Sequence, residues 1–190
     1  MWDSGAHMIK NKLLSVVVLL GLVLGQSPLR AETENRPASI YQAPLQWKSQ
    51  DEKPVRLSDF KGRKVVMSMI YASCQTACPL ILKKVKAVKA ELDRRKQSAE
   101  FVLVTFDSEG DVPEKLRHFR HHNDVASPAW TFLVGSEKDT RTLSMLLGIK
   151  YSKNPGNGQI MHDNKIVLLD EQGAIVRTLE GLNTDLGDLY

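Results

Sequence analysis

Cysteine is nearly absent from this chain: there are two in 190 residues, Cys74 and Cys78. Two thiols make at most one bridge, which excludes a disulfide framework. A bridge across so short a loop also restrains little of the unfolded chain, and a domain of this length has core enough to do without one. Chemistry at the sulfurs is therefore the better explanation of the pair, with a structural bridge or two inert thiols as the plain alternatives. An excess of one charge is lacking too. Net charge is +4; Lys10, Lys12 and Arg30 against Asp3 put +2 of it in residues 1–31, and 23 basic against 21 acidic groups leave +2 in the rest. That balance argues against a nucleic-acid-binding surface. Internal repeats and low-complexity tracts are missing, so one domain plus extras is expected. Only one long apolar run exists, Leu13 to Leu24, and it is short for a full transmembrane helix.

That run follows Lys10 and Lys12 and precedes Leu29-Arg30-Ala31. A basic start, an apolar stretch and a possible cleavage site read as a signal peptide over residues 1–31. An uncleaved membrane anchor through residues 13–24 is the alternative. Either reading makes the protein exported, periplasmic or held at the inner membrane facing the periplasm. Residues 32–44, with Pro37 and Pro44, read as a linker, and 45–190 as the domain.

Within the domain, Leu45 to Leu57 resembles a β-hairpin turning at Asp51-Glu52-Lys53-Pro54. Buried strands are expected at Lys64–Tyr71, Glu100–Phe106 and Trp130–Val134, and a C-terminal hairpin at Lys165–Asp170 and Ala174–Leu179. Helices are expected from Pro79, with Ile81, Val85, Val88 and Leu92 as the apolar stripe, over Val112–His122, and over Glu137–Leu147 closed by Gly148. Tyr151–Met161, rich in Gly, Asn and Pro, reads as a loop. The chain stops inside an expected last helix from Thr184, which suggests truncation there. Alternating strands and helices followed by a hairpin indicate an α/β fold with a central mixed β-sheet flanked by helices.

The chemistry-bearing segment is Tyr71-Ala72-Ser73-Cys74-Gln75-Thr76-Ala77-Cys78-Pro79. Three residues between the sulfurs let both converge on one soft ion, Cu(I) or Zn(II) rather than Ca or Mg. Cys78 sits at a helix start, where the backbone dipole favours thiolate. Two sulfurs under-coordinate most metals, and His162, just before the Lys165–Asp170 strand, is the candidate third ligand if that strand neighbours Lys64–Tyr71. Alone, His162 is more often a satisfied loop or core histidine. His118, His121 and His122 read as a solvated helix face, Met67 and Met69 as core, and Met161 as packing. Asp107 and Asp111 read as caps or loop-fixing groups of the next helix.

Four segments in order resemble the Sco/SenC family: Tyr71-x-x-Cys74-x-x-x-Cys78-Pro79; Asp107-Ser108-Glu109-Gly110-Asp111-Val112-Pro113, with Ser108 where proline is usual; Trp130 to Gly135; and Met161-His162-Asp163 through Leu168 to Gly173. The likeness spans roughly residues 41–190. It implies a thioredoxin-like fold, copper as Cu(I) and/or Cu(II) on Cys74, Cys78 and His162, and Asp107 as an orienting group behind the metal loop. It implies a metallochaperone, rather than an enzyme, for the dinuclear copper site of cytochrome c oxidase. Subunit II of that oxidase or another cuproprotein would be the client, and a thioredoxin-type thiol reductant a second partner. Ala72-Ser73 and Gln75-Thr76-Ala77 depart from the family's commonest wording, which bears on the client. A thiol–disulfide oxidoreductase needs the same pair, but such enzymes carry Cys-x-x-Cys and a proline where Met161 to Asn164 stand. A peroxiredoxin has threonine in the place of Tyr71. A redox or copper sensor is the third reading.

Overall fold

The computed structural model describes residues 38–75, 77–181 and 186–187. The leader, residues 32–37 of the linker and most of the expected last helix lie outside these residues, while Ile40–Gln42, read as linker, form a 3-10 turn whose Ile40 is buried in the core of the domain. No described helix is long and apolar enough to cross a membrane.

The expected N-terminal hairpin forms from β1 (Trp47–Ser49) and β2 (Pro54–Val55). A short 3-10 turn, Leu57–Phe60, leads into β3 (Val65–Ile70), which is buried at every position. Then come α1 (Ala77–Arg94), β4 (Glu100–Thr105), α2 (Pro113–His122), β5 (Trp130–Gly135) and α3 (Glu137–Leu146). Two short strands follow, β6 (Tyr151–Lys153) and β7 (Ile160–His162), and the final hairpin is β8 (Lys165–Leu169) and β9 (Ile175–Glu180).

Seven strands make one mixed sheet in the order β2-β1-β5-β4-β3-β8-β9. The centre, β3, β4 and β5, is parallel, as the helical crossovers require; β1 joins antiparallel to β5 and β8 antiparallel to β3. Because side chains alternate, β3 sends Val66 and Ile70 to one face and Val65, Met67 and Met69 to the other. The first face packs on the α1 stripe Ile81, Val85, Val88 and Leu92, and on Leu116 of α2. The second packs on Leu143 and Leu147 at α3, and there Met67 and Met69 are core residues, as expected. Helices therefore cover both faces of the sheet.

Two details depart from expectation. Helix α1 begins at Ala77 rather than Pro79, which places Cys78 inside the first turn, where proline is still tolerated because that turn's N–H groups lack helical partners. Residues 151–162 are not a plain loop. They fold back as a two-stranded ribbon with Tyr151 opposite His162, joined to no strand of the main sheet. The Asn154–Gly158 tip supplied the turn signals that made the whole segment read as irregular.

Candidate metal centre

The main chain leaves β3 at Ile70 and turns at once: Cys74 N–H donates to the Tyr71 carbonyl at 3.1 Å. Two further N–H groups aim at sulfur. Cys78 N–H donates to Cys74 Sγ at 3.3 Å and Tyr71 N–H to Cys78 Sγ at 3.4 Å. Both thiols are free of a disulfide, and both are buried, Cys78 completely.

His162 arrives from the ribbon. In β7, Ile160 and His162 face inward and Met161 outward, so Met161 is 69% exposed rather than packed as its apolar character suggested. Asp163 closes the ribbon base: its N–H donates to the Lys150 carbonyl at 2.9 Å and its carboxylate accepts Lys150 N–H at 3.0 Å. The Asp163 carbonyl lies 3.0 Å from His162 Nδ1. A carbonyl can only accept, so the proton belongs on Nδ1, and Nε2 keeps its lone pair. Nε2 stands 3.9 Å from Cys78 Sγ. The ring is held by Phe106, tilted at 4.7 Å between centroids, and by an edge contact with Tyr71 at 6.0 Å.

Cys74 Sγ, Cys78 Sγ and a His162 ring nitrogen thus lie within 4.8 Å of one another, the single such cluster of potential ligands among the described residues. The donor set fits a soft or borderline ion: two sulfurs, one imidazole lone pair already bared by its carbonyl partner, and no hard oxygen ligand. The Cys78 thiol departs from the expected low pKa. Burial pushes it up, and the neighbouring Cys74 and the Asp111 charge add to this, against the partial relief of the Tyr71 N–H bond. Desolvation outweighs the helix dipole because Cys78 is sealed from water. Free of metal, the Cys78 thiol is protonated, and an ion entering the site must displace that proton.

The carboxylate that grips the metal loop is Asp111. It is fully buried, and Oδ2 accepts from Ala72 N–H at 2.7 Å and from Thr105 Oγ1 at 2.6 Å. Lys115 Nζ lies 2.8 Å from Oδ1 and also donates to Ser73 Oγ at 2.7 Å. Asp107 joins this network through its backbone, its N–H donating to Thr105 Oγ1 and its carbonyl accepting the Asp111 N–H, while its carboxylate accepts from Gly110 N–H and pairs with Lys153 of β6. Its neighbour Glu109 meets the same lysine, so the pair anchors the ribbon. The α2 histidines are exposed, as a solvated face requires, with His118 Nε2 3.8 Å from Glu114. Tyr71, quoted in the motif only as a spacing marker, touches all three donor residues.

The SCO1/SenC family model matches residues 33–186. A SCO1/SenC family lipoprotein from Bacillus anthracis is 28% identical, with a TM-score of 0.69 over 75% of this chain and 86% of that one. Copper-bound yeast Sco1 is 19% identical, with a TM-score of 0.67 over 79% and 83%. A SCO2-like protein from Rickettsia conorii is 20% identical over 188 residues, 89% of this chain and 90% of the relative.

Proposed function

The chain belongs to the SCO1/SenC family, and from that premise we propose that it is an exported copper metallochaperone that helps mature the dinuclear copper site of cytochrome c oxidase. The observation that carries the proposal is the convergence of Cys74, Cys78 and His162 within 4.8 Å. Copper here is cargo. The Cys74 and Cys78 thiolates and His162 Nε2 hold it, and the protons displaced from the thiols leave to solvent. Burial matters twice: it protects Cu(I) from oxidation and keeps the Cys78 thiol of the empty site protonated.

Delivery is ligand exchange. Donor groups of a client, subunit II of the oxidase or another cuproprotein, take the place of these three one at a time, so no free ion is released. If the sulfurs oxidise to a disulfide they cannot ligate, and a thiol reductant of thioredoxin type must first restore them. The sequence pattern of residues 1–31, a basic start followed by an apolar run, supports a site of work outside the cytoplasm, at or near the inner membrane.

Metal analysis of freshly reduced protein tests the assignment. Wild type is expected to carry stoichiometric copper, Cys74→Ser and Cys78→Ser to carry little, and His162→Ala to keep Cu(I) more weakly while losing Cu(II). If His162→Ala holds both valences as tightly as wild type, the imidazole is not a ligand. A wild type that binds no copper but turns over disulfide substrates would replace the chaperone with an oxidoreductase.

A further inference from the structure

Phe106 follows the last residue of β4 and is tied to the end of β3, its N–H donating to the Ile70 carbonyl at 2.7 Å. The Cys74 loop leaves from that same end of β3. The Phe106 ring is 4% exposed, inside the core on the α3 side of the sheet. It lies 4.7 Å from the His162 ring at an interplanar angle of 31°, and 4.8 Å from the Tyr151 ring at 41°, centroid to centroid. A single side chain of the main sheet's core thus touches both strands of the β6–β7 ribbon.

The ribbon's register explains why two rings reach Phe106 together. Asp163 N–H donates to the Lys150 carbonyl and Asn154 N–H to the Gln159 carbonyl. Bonded and non-bonded pairs alternate along an antiparallel ladder. Tyr151 opposite His162, one step in from Lys150 and Asp163, is therefore a non-bonded pair. In such a pair the side chains share one face and stand closest together. The hydrogen-bond partners of the imidazole among the described residues are the carbonyl of Asp163, its own chain neighbour, and Cys78 Sγ at 3.9 Å. The contacts that tie the ring to the sheet are aromatic, Phe106 at 4.7 Å and Tyr71 edge-on at 6.0 Å.

We propose that Phe106 is the positioning residue of the third ligand and sets the copper valence the centre favours: by seating Tyr151 and His162 together, it keeps the imidazole over Cys78 and so decides whether the ion is held by three donors or two. The inference rests on the copper reading above. A pair of thiolates suits Cu(I), whereas Cu(II) draws more on an imidazole nitrogen. Loosening the seat therefore costs Cu(II) more than Cu(I). A stacked or tilted aromatic pair is worth roughly two- to tenfold in an equilibrium, and Phe106 makes two of them. Ile160 shares in seating the ribbon, buried in the same core, but the imidazole itself rests on Phe106. The ion pairs of Lys153 with Asp107 and Glu109 are partly exposed and contribute less.

Phe106→Leu is the test, because it keeps an apolar side chain in the core and removes the ring. Val104→Ala is the control: Val104 lies two residues earlier on β4, buried in the same core, with no ring to offer. In metal-free reduced protein, Phe106→Leu is expected to speed amide exchange at Asn154 and Asp163 about tenfold relative to amides of β3. In copper-loaded protein, Cu(I) stoichiometry is expected to persist and the ratio of Cu(II) to Cu(I) affinity to fall about tenfold. The imidazole nitrogen coupling in the Cu(II) paramagnetic resonance spectrum is expected to weaken with it. Tyr151→Leu, at a half-buried position, removes one of the two ring contacts; it is expected to shift both readouts less and in the same direction, and it carries the test if Phe106→Leu does not fold. Unchanged exchange at Asn154 and Asp163 overturns the seating. An unchanged affinity ratio, or an equal fall in Val104→Ala, overturns the valence role. If wild type takes no copper at all while the ribbon amides still respond, the valence role falls together with the copper reading and the seating of the ribbon stands by itself.

Discussion

Replacing Asp111 is the sharpest perturbation of the support beneath the metal loop. The carboxylate is 0% exposed, accepts two hydrogen bonds at Oδ2, from Ala72 N–H and Thr105 Oγ1, and pairs through Oδ1 with the Lys115 ammonium. In Asp111→Ala two buried donors lose a charged acceptor, and a cation loses its partner. Such losses are worth about 1–3 kcal/mol each where the partner stays dry, and water entering the vacated space recovers part of them. A net destabilisation of about 3–4 kcal/mol is expected, within the range for breaking one side of a buried pair. In a domain of this size that lowers the melting temperature by roughly 6–16 °C. Asp111→Asn discriminates further. Its amide oxygen can replace Oδ2 toward Ala72 and Thr105, but its NH2 then faces the Lys115 ammonium, donor against donor. The expected cost is about 1–2 kcal/mol, and Lys115→Met added to Asp111→Asn should recover part of it. Urea unfolding of the reduced, metal-free variants, read by far-ultraviolet circular dichroism, measures all three. A loss below about 1 kcal/mol in Asp111→Ala, or no coupling between positions 111 and 115, would refute the network.

Two other predictions concern parts remote from sulfur. Gly173 has φ of +83°, and a Cβ there would meet Tyr41 ring carbons at 2.5 Å, whereas Gly62, with φ of +85°, has open space. Gly173→Ala should therefore cost about 1–3 kcal/mol more than Gly62→Ala in chemical denaturation, since strain is common to both and only the first adds a clash; equal costs would show that Tyr41 simply moves aside. On α1, hydrogen bonds from Arg94 and then Arg95 lower the Glu91 carboxylate from 4.5 to about 2. A depressed folded pKa means that the contribution of Glu91 is complete above 4.5 and is lost as pH falls toward 2. The stability difference between wild type and Glu91→Gln should be small, as for any solvent-screened pair, flat at neutral pH, and vanish on acidification; a carboxylate midpoint by NMR at the ordinary value would disprove the pairing.

The strands of the central sheet were legible because each is a short apolar run bounded by polar turns, whereas the pairing of β3 with β8, a condition of the His162 reading, came only from the structure. Cys74 and Cys78 declared themselves by scarcity and spacing. His162 did not: nothing local marks it, and the resemblance to a known family singled it out. The ribbon that carries it was hidden by Asn154, Pro155, Gly156 and Gly158, whose turn chemistry masks three-residue strands too short to show an alternating pattern. Asp111 looked like a helix cap because a carboxylate before Pro113 ordinarily is one, and only the three-dimensional path of β3 brings Ala72 over it. The high Cys78 pKa was invisible for the same reason: a helix start can be read from sequence, whereas the desolvation that overrides it comes from distant segments packing together.

The ribbon β6–β7 shares no backbone ladder with the seven-stranded sheet. A two-stranded hairpin is marginal alone, so side-chain ties such as Tyr71 and Phe106 to His162, Lys153 to Asp107 and Glu109, and Phe106 to Tyr151 are what keep it docked. The two sulfurs, by contrast, hang from β3 and α1, in the centre of the molecule. Lifting this hairpin of a dozen residues would take a three-armed grip down to two arms without breaking any ladder of the main sheet.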